Sequence, residues 1–162
     1  MLETKTVSEI INHLKSKDLS IKEVIEYYLN NIEKLNPKIN SIVSIKNKKE
    51  IIEEAEKKSS TKFCGLPIAV KDLSDVVGFP TTYGYPGTKN YNPKKNSLFV
   101  DKLLEAGITI IGKTNTAELG VGGQTINRLF GPTSNVYDIS KCAAGSSGGA
   151  STAVASGMLP FA

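Results

Sequence analysis

The residues best suited to chemistry are two adjacent serines in a glycine-rich loop, Ser146 and Ser147. The loop runs directly into a stretch of small residues that extends to Ser156 and is followed by Gly157, a typical helix stop. At such a junction, free backbone N–H groups and the positive end of the helix dipole lie beside the two hydroxyl groups. The stretch therefore indicates a place that stabilises an anion or an oxyanion. The side chains of the helix are small enough for it to be buried in close contact with its neighbours.

A histidine-activated serine is the first mechanism to consider, because residues 145–149 match the pattern Gly-x-Ser-x-Gly around Ser147. That mechanism needs an acid and then a histidine after the serine, and the residues that follow contain neither. The only histidine, His13, lies in a predicted N-terminal helix. No phosphate-loop motif is present, and residues 120–125 lack the last glycine of the dinucleotide-binding pattern. Histidine-dependent hydrolysis, phosphate binding and dinucleotide binding are all disfavoured.

Lysine is the base that remains, and Lys71 is the candidate. It follows an apolar strand predicted over residues 65–70, and sites in α/β sheets are built at strand ends. A lysine buried there can be neutral near pH 7 and accept a proton from a hydroxyl group. The alternative is a surface lysine that is solvated or ion-paired beside Asp72. The residue types alone leave both interpretations open.

The N-terminal region is predicted to be helical. Thr6 and Ser20 each precede a glutamate by three residues, which is the pattern of a capping box, and apolar residues follow each at helical spacing. The second helix is predicted to end at Asn36 and Pro37. Residues 41–45 then predict a short strand. Residues 46–60 predict a solvated helix with two ion pairs at i, i+4 spacing: Glu53 with Lys57 and Glu54 with Lys58.

The rest of the chain alternates strands and helices. A strand over residues 65–70, a helix over 97–106 and a strand over 108–111 predict two parallel strands joined by a crossover helix. Residues 78–93 and 112–131 are predicted to be loops. Four residues of the crossover helix are expected to face inward: Leu98, Phe99, Leu103 and Leu104. The fold class is α/β in one domain, in which residues 1–60 form a helical cover and residues 61–162 the α/β part.

Composition limits the remaining functions. The chain is 40% hydrophobic and 22% charged, and its net charge of +4 comes from basic residues interleaved with acidic ones, with Arg128 as the single arginine. Direct nucleic-acid binding is therefore disfavoured. No apolar run indicates a membrane span or signal peptide, so the cytoplasm is the expected location. Cys64 and Cys142 are isolated, and we expect no disulfide, no metal and no cofactor.

Four motifs, in order and spacing, resemble those of the amidase signature enzymes. They are Gly-Leu-Pro-Ile-Ala-Val-Lys-Asp ending at Asp72, Gly-Lys-Thr-Asn ending at Asn115, Phe-Gly-Pro-Thr ending at Thr133, and Gly-Ser-Ser-Gly-Gly at residues 145–149. The similarity continues N-terminally through residues 19–24 and 36–37, so it covers nearly the whole chain. It implies the family's mixed sheet covered by helices, and an amidase that uses a Ser-cisSer-Lys relay.

The resemblance also implies roles for individual residues. Lys71 matches the family's lysine base, and Ser146 matches the bridging serine that is held by a cis peptide and lies beside the substrate. Gly120 falls where the family lines its acyl pocket, which the absence of a side chain would leave open. The remaining residues of the loop become its structural framework and include no nucleophile: Gly145, Ser147, Gly148 and Gly149.

The chain departs from the family pattern in two places. Ala144 stands where a glycine usually precedes the Gly-Ser-Ser motif, which could tighten the loop. The family's nucleophilic serine follows further along the chain, in an Asp-Thr-Gly-Gly-Ser-like segment that also supplies the oxyanion-hole amides, and the sequence reaches only Ala162. We therefore expect the N-terminal portion of a longer amidase domain, which in isolation hydrolyses no amide and is poorly stable or prone to aggregation.

Two activities within the family compete. One is a general amidase that converts a linear amide to an acid and ammonia or an amine. The other is the glutaminase chain, or A chain, of the tRNA-dependent amidotransferase, which typically reads Met-Asp-Glu-Phe-Ala-Met-Gly-Ser-Ser after its Thr-Asn. Here residues 116–124 read Thr-Ala-Glu-Leu-Gly-Val-Gly-Gly-Gln, which favours a general amidase.

Two classes without catalysis also stay open, an inactive amidase-like binding module and a plain structural domain. A large separation of Lys71 from Ser146 would favour the structural domain. For the enzyme, the expected partner is a small-molecule amide, with no direct contact to nucleic acid or membrane, and a homo-oligomer remains an open alternative.

Overall fold

A computed structural model describes residues 2–162, which form a small mixed sheet covered by helices. The five helices in these residues are α1 (Val7–Ser16), α2 (Ile21–Ile39), α3 (Lys48–Glu56), α4 (Leu98–Glu105) and α5 (Gly148–Ala155). The three strands are β1 (Ile42–Ile45), β2 (Pro67–Lys71) and β3 (Thr109–Thr114). Short 3-10 turns span Pro86–Thr88 and Glu118–Gly120. The predicted α/β class with a helical N-terminal region is confirmed.

The sheet has the order β1-β3-β2, so β3 is central. Strands β2 and β3 are parallel and are joined through α4, as the sequence predicts, while β1 runs antiparallel to β3. At the carboxyl end of the parallel pair, Lys71 lies directly beside Thr114. Strand β3 extends to Thr114, so the prediction of a loop from residue 112 onward is wrong at its start. Residues 112–114 are strand because they pair on both sides, with β1 and with β2.

Helices α1 and α2 begin as predicted, each with a complete capping box, at Thr6 and at Ser20. The predicted end of α2 at Pro37 is wrong, because the helix continues to Ile39. A proline in the last turn removes only one intrahelical hydrogen bond, and the helix ends where Asn40 adopts a left-handed conformation with φ 58°. The Asn36 side chain then accepts hydrogen bonds from the N–H groups of the two residues after Asn40, which fixes the turn into β1.

Helix α3 is shorter and less solvated than predicted. Ile51 and Ala55 are fully buried, so one face of the helix packs on the core. Of the two predicted ion pairs, the pair between Glu54 and Lys58 forms at 2.8 Å, and Glu54 also binds Lys46 at 2.7 Å. Glu53 lies 3.8 Å from Lys49 instead of pairing with Lys57.

Helix α4 is rotated relative to the prediction. Leu98 and Phe99 are 75% and 59% exposed, whereas Val100 is completely buried. Leu103 and Leu104 pack against the core at its margin, as expected. In this first turn Val100 is the residue that enters the core, so the two residues before it lie on the exposed side of the helix. In the part of the chain that the structure describes, no helix combines the length and the hydropathy needed to cross a bilayer.

Candidate active site

Lys71 and the serine pair meet at the carboxyl end of β2. The Lys71 Nζ atom lies 2.7 Å from the Ser146 Oγ atom and 2.8 Å from the Ser147 Oγ atom. The expected distance of about 3 Å between Lys71 and Ser146 is therefore confirmed. Residues that are 75 positions apart in sequence come together because β2 ends where the loop before α5 begins.

The surroundings of Lys71 contradict the ion-paired alternative. The Asp72 carboxylate binds the Lys113 ammonium group at 3.1 Å, and within residues 2–162 no ion pair includes Lys71. Partial burial lowers the pKa of Lys71 below its ordinary value, because desolvation disfavours the charged form. A partly buried lysine whose partners are hydroxyl groups is better placed to exist as a neutral amine than a lysine beside a carboxylate.

The backbone around Ser146 is held by the loops on either side. The peptide bond between Gly145 and Ser146 is cis, as the resemblance implied. The Gly145 N–H donates to the Gly123 carbonyl at 2.8 Å. The Ser146 carbonyl accepts from the Ala117 N–H at 3.1 Å and from the Thr116 hydroxyl at 3.2 Å. These bonds hold the backbone on both sides of the Ser146 side chain, whose hydroxyl contacts Lys71.

The glycines that follow the serine pair allow α5 to begin in direct contact with its neighbours. A Cβ atom at Gly149 would lie 2.5 Å from the Asn115 carbonyl oxygen and 2.7 Å from that of Ser41, both of which are backbone atoms. The Gly148 N–H donates to the Thr125 hydroxyl at 2.7 Å, so this donor at the helix start is already occupied. The two glycines thus act as structural residues of the loop in this arrangement.

The small residues of α5 are buried on one face only. Gly148, Gly149, Thr152 and Ala153 are buried, and the Thr152 hydroxyl lies 2.6 Å from that of Ser41 at the start of β1. The prediction of a buried helix is confirmed for that face, whereas Val154 and Ala155 on the other side are exposed. Only one side of the helix has a neighbour in the described chain, and that contact orients the Gly-Ser loop.

A buried network behind the site was not recognised from sequence. The Asn127 amide donates to the Asn115 side-chain oxygen at 2.7 Å, and the Asn115 amide donates to the Thr133 hydroxyl at 2.9 Å. The Asn115 oxygen also accepts from the Thr116 N–H at 3.0 Å. The network therefore positions Thr116, which in turn binds the Ser146 carbonyl. The Thr-Asn and Gly-Pro-Thr motifs were the available signal, because polar residues that are buried must find partners.

Gly120 lies near the same end of β2, because it packs against the Leu73 side chain. It has φ +76°, and a Cβ atom there would lie 2.7 Å from the Leu73 Cδ1 atom. Leu73 follows Lys71 by two residues, so Gly120 belongs to the surroundings of the site. Its role in binding the acyl group of a substrate stays a prediction.

The rest of the described chain offers less chemistry. A cavity of about 690 Å³ lies between α1, the start of α2 and residues 59–64, and it includes neither Lys71 nor Ser146. Within residues 2–162, no three His, Cys, Asp or Glu side chains converge as metal ligands would. The lysine and the two hydroxyl groups are the arrangement with an evident chemical use, which is to move a proton.

Comparison with known proteins shows similarity in both sequence and structure to amidases. The family profile described as Amidase matches residues 23–162. The chain is 35% identical over 167 aligned residues to the A chain of the glutamyl-tRNA(Gln) amidotransferase of Thermoanaerobacter pseudethanolicus, covering 99% of this chain and 34% of the relative. The structure superposes on a bacterial aryl acylamidase of the amidase signature family with TM-score 0.88 and 30% identity, covering 98% and 34% of the two chains.

The corresponding amidotransferase chain of Thermotoga maritima superposes with TM-score 0.80 and 26% identity, covering 98% of this chain and 33% of that one. The chain thus spans about one third of the length of the relatives it matches. These relatives include both amidotransferase chains and an aryl acylamidase, so the preference for a general amidase stays a prediction.

Proposed function

The chain belongs to the amidase signature family, and on that premise we propose that the protein containing it hydrolyses a carboxylic acid amide through a serine acyl-enzyme. Lys71 is the base of this proposal and Ser146 is the bridging group. The observation that carries it is the distance of 2.7 Å between Lys71 Nζ and Ser146 Oγ. The proposal concerns the protein in which these residues occur together with the family's nucleophilic serine, which the resemblance assigns to a segment outside these 162 residues.

The proton follows a short path in this mechanism. Neutral Lys71 takes the proton of the Ser146 hydroxyl, while Ser146 takes the proton of the nucleophilic serine. The nucleophile attacks the amide carbon and forms a tetrahedral intermediate. As the carbon–nitrogen bond breaks, the proton returns through Ser146 to the leaving nitrogen, which departs as ammonia or an amine. Water then attacks the acyl-enzyme with the same relay as base, and the acid is released.

Three features of the site support these roles. Burial lowers the pKa of Lys71, which favours the neutral amine that a base must provide. The Ser146 carbonyl accepts hydrogen bonds from Thr116 and Ala117, which hold the backbone that carries the bridging hydroxyl. The Asp72 carboxylate, which would favour the ammonium form of Lys71, is bound elsewhere. An amide of low molecular weight is the proposed substrate.

A second candidate function is the glutaminase reaction of an amidotransferase A chain. The observation in its favour is the 35% identity over nearly the whole chain to such a protein. The segment at residues 116–124 favours the general amidase instead, since it differs from the typical motif of the amidotransferase. The rates of ammonia release from glutamine and of amine release from a simple aryl amide distinguish the two, because a glutaminase prefers glutamine.

The test is the Lys71→Ala variant of the protein expressed from its whole gene, with Lys34→Ala on the exposed side of α2 as control. We expect Lys71→Ala to lower kcat by several orders of magnitude with unchanged thermal unfolding, and Lys34→Ala to leave kcat unchanged. A folded Lys71→Ala protein with near-normal turnover would refute the role of Lys71. Wild-type protein that folds but hydrolyses neither substrate would favour the binding-module alternative.

A further inference from the structure

Two lysines lie at the same end of the sheet but in different chemical surroundings. Lys71 ends β2, and Lys113 lies one residue before the end of the neighbouring strand β3. Lys113 is completely buried, whereas Lys71 is only partly buried. The two ammonium or amine groups share no hydrogen-bonding partner within the described residues. The partners of each lysine indicate which one must carry a charge.

The partners of Lys113 require an ammonium group. Its Nζ atom lies 2.9 Å from the Ser74 carbonyl oxygen, 3.1 Å from the Asp72 carboxylate and 3.1 Å from the Thr81 hydroxyl, with the Pro80 carbonyl oxygen at 3.4 Å. Carbonyl and carboxylate oxygens only accept, and the Thr81 hydroxyl uses its proton on the Ser74 carbonyl. Four acceptor oxygens therefore surround the nitrogen, which is enough to occupy all three N–H donors of a charged lysine.

The partners of Lys71 make no such demand. Ser146 and Ser147 each offer a hydroxyl group, which can accept a hydrogen bond from an ammonium or donate one to a neutral amine. Neither hydroxyl has another hydrogen-bonding partner between residues 2 and 162. The two lysines therefore differ in kind, since one is fixed as a cation and the other is free to gain or lose a proton.

Asp72 connects the two lysines, because it follows Lys71 directly in the chain and pairs with Lys113. Its side chain is almost fully buried, accepts hydrogen bonds from the Thr82 N–H and the Thr82 hydroxyl, and forms an ion pair with Lys113. A buried carboxylate needs a cation nearby, and in the absence of Lys113 the next lysine is the adjacent residue. An uncompensated carboxylate there would favour the ammonium form of Lys71.

We propose that Lys113 is a positioning residue for the relay, which neutralises Asp72 and thereby leaves the Lys71 amine to the two serine hydroxyls alone. The catalytic meaning of this arrangement rests on the base role proposed for Lys71 above. The other ionisable groups that face the Asp72 and Lys113 pair are Asp75 and Tyr83. Helix α5, which packs over the serine side, contributes no acidic or basic side chain.

The pKa values of both lysines are lowered, but the causes differ. Burial lowers the pKa of Lys113, but Asp72 and Asp75 oppose that effect and favour the ammonium form. Burial also lowers the pKa of Lys71, with no opposing carboxylate. Removal of the positive charge at Lys113 should raise the pKa of Lys71, and removal of both members of the pair should restore it.

The test measures the protonation of individual lysines by ¹⁵N NMR in the protein expressed from its whole gene. In the wild-type protein we expect Lys113 to remain an ammonium at the pH where Lys71 loses its proton. In Lys113→Met we expect the Lys71 pKa to rise by about one pH unit, the size expected for one unpaired charge within about 10 Å in a partly buried site. In Asp72→Asn/Lys113→Met the pKa should return to its wild-type value, and Lys34→Met is the surface control.

The outcomes separate this inference from the proposed function. A wild-type Lys113 that titrates before Lys71, or a folded Lys113→Met protein with an unchanged Lys71 pKa, would overturn the inference. When the single variant does not fold, the wild-type measurement still tests the inference, because a Lys113 that loses its proton first would overturn it. The acid limb of kcat/KM for an aryl amide should move with the Lys71 pKa. If the pKa moves and the rate profile does not, the role of Lys113 stands and the base role of Lys71 is refuted.

Discussion

The Lys71 amine nitrogen lies 2.7 Å from the Ser146 hydroxyl oxygen, and an almost equal distance of 2.8 Å separates it from the Ser147 hydroxyl. The two serines are therefore not distinguished by their distance to the lysine. They differ in their backbone, because the Ser146 carbonyl is bound by two neighbouring residues, while Ser147 directly precedes α5. This difference makes their proposed roles testable.

Replacement of the two serines should have unequal effects. Ser146→Ala removes the bridge between base and nucleophile, so kcat should fall by several orders of magnitude. Ser147→Ala removes only a second partner of Lys71, so we expect a fall of about tenfold, the effect of one hydrogen bond of about 1 kcal/mol or slightly more. Single-turnover rates with an aryl amide measure both. The reverse order of the two effects would assign the relay to Ser147.

The lowered pKa of Lys71 should also appear in the pH dependence of stability. The folded protein holds Lys71 with a pKa below 10.5, whereas the unfolded chain has the ordinary value. Between these two values the unfolded state binds more protons, so the contribution of Lys71 to stability rises with pH in that window. Below the window the buried ammonium is destabilising.

The comparison of wild type with Lys71→Met isolates this effect. Denaturant unfolding from about pH 7 to about pH 10.5 should show wild-type stability rising relative to that of the variant. A difference between the two proteins that stays constant over that range would show that folding leaves the Lys71 pKa unchanged.

Replacement of Gly149 by a larger residue is predicted to destabilise the fold. Gly149→Ala places a methyl group 2.5 Å from the Asn115 carbonyl oxygen and 2.7 Å from the Ser41 carbonyl oxygen, and neither backbone atom can move without distorting a neighbouring segment. We expect a loss of about 1–3 kcal/mol in the free energy of unfolding, as for other overpacked sites. Gly123→Ala is the control, because a Cβ atom there meets no atom within 4 Å and φ is not positive. Equal stability of the two variants would contradict the close approach of α5.

Gly120 tests the predicted acyl pocket. Gly120→Ala introduces a methyl group 2.7 Å from Leu73 at a residue with φ +76°, whereas Gly78→Ala introduces the same backbone strain, at φ +92°, with no atom within 4 Å. Both should lose roughly 1–2 kcal/mol of stability from the left-handed conformation. Only Gly120→Ala should raise KM for amides with bulky acyl groups while leaving small ones unaffected. A KM that is insensitive to acyl size would place the pocket elsewhere.

The sequence by itself determined the helices and strands whose formation depends on residues close together in the chain. The capping boxes at Thr6 and Ser20 predicted the starts of α1 and α2, and the strand–helix–strand pattern predicted the parallel pair that carries Lys71. These succeed because a capping box and an apolar period act over a few residues. The candidate site followed from motif resemblance, since Lys71 and Ser146 alone are common residue types.

The tertiary structure decided what depends on contacts between distant segments. The sequence places Lys71 next to Asp72 and does not show that Asp72 pairs with a different lysine. Its partner, Lys113, comes from another strand. The same limit explains the outward position of Leu98 and Phe99, since helical spacing gives a stripe but not the direction of the sheet. Hydrogen bonds and burial across long sequence separations fix charge and orientation, and those properties exist only once the chain has folded.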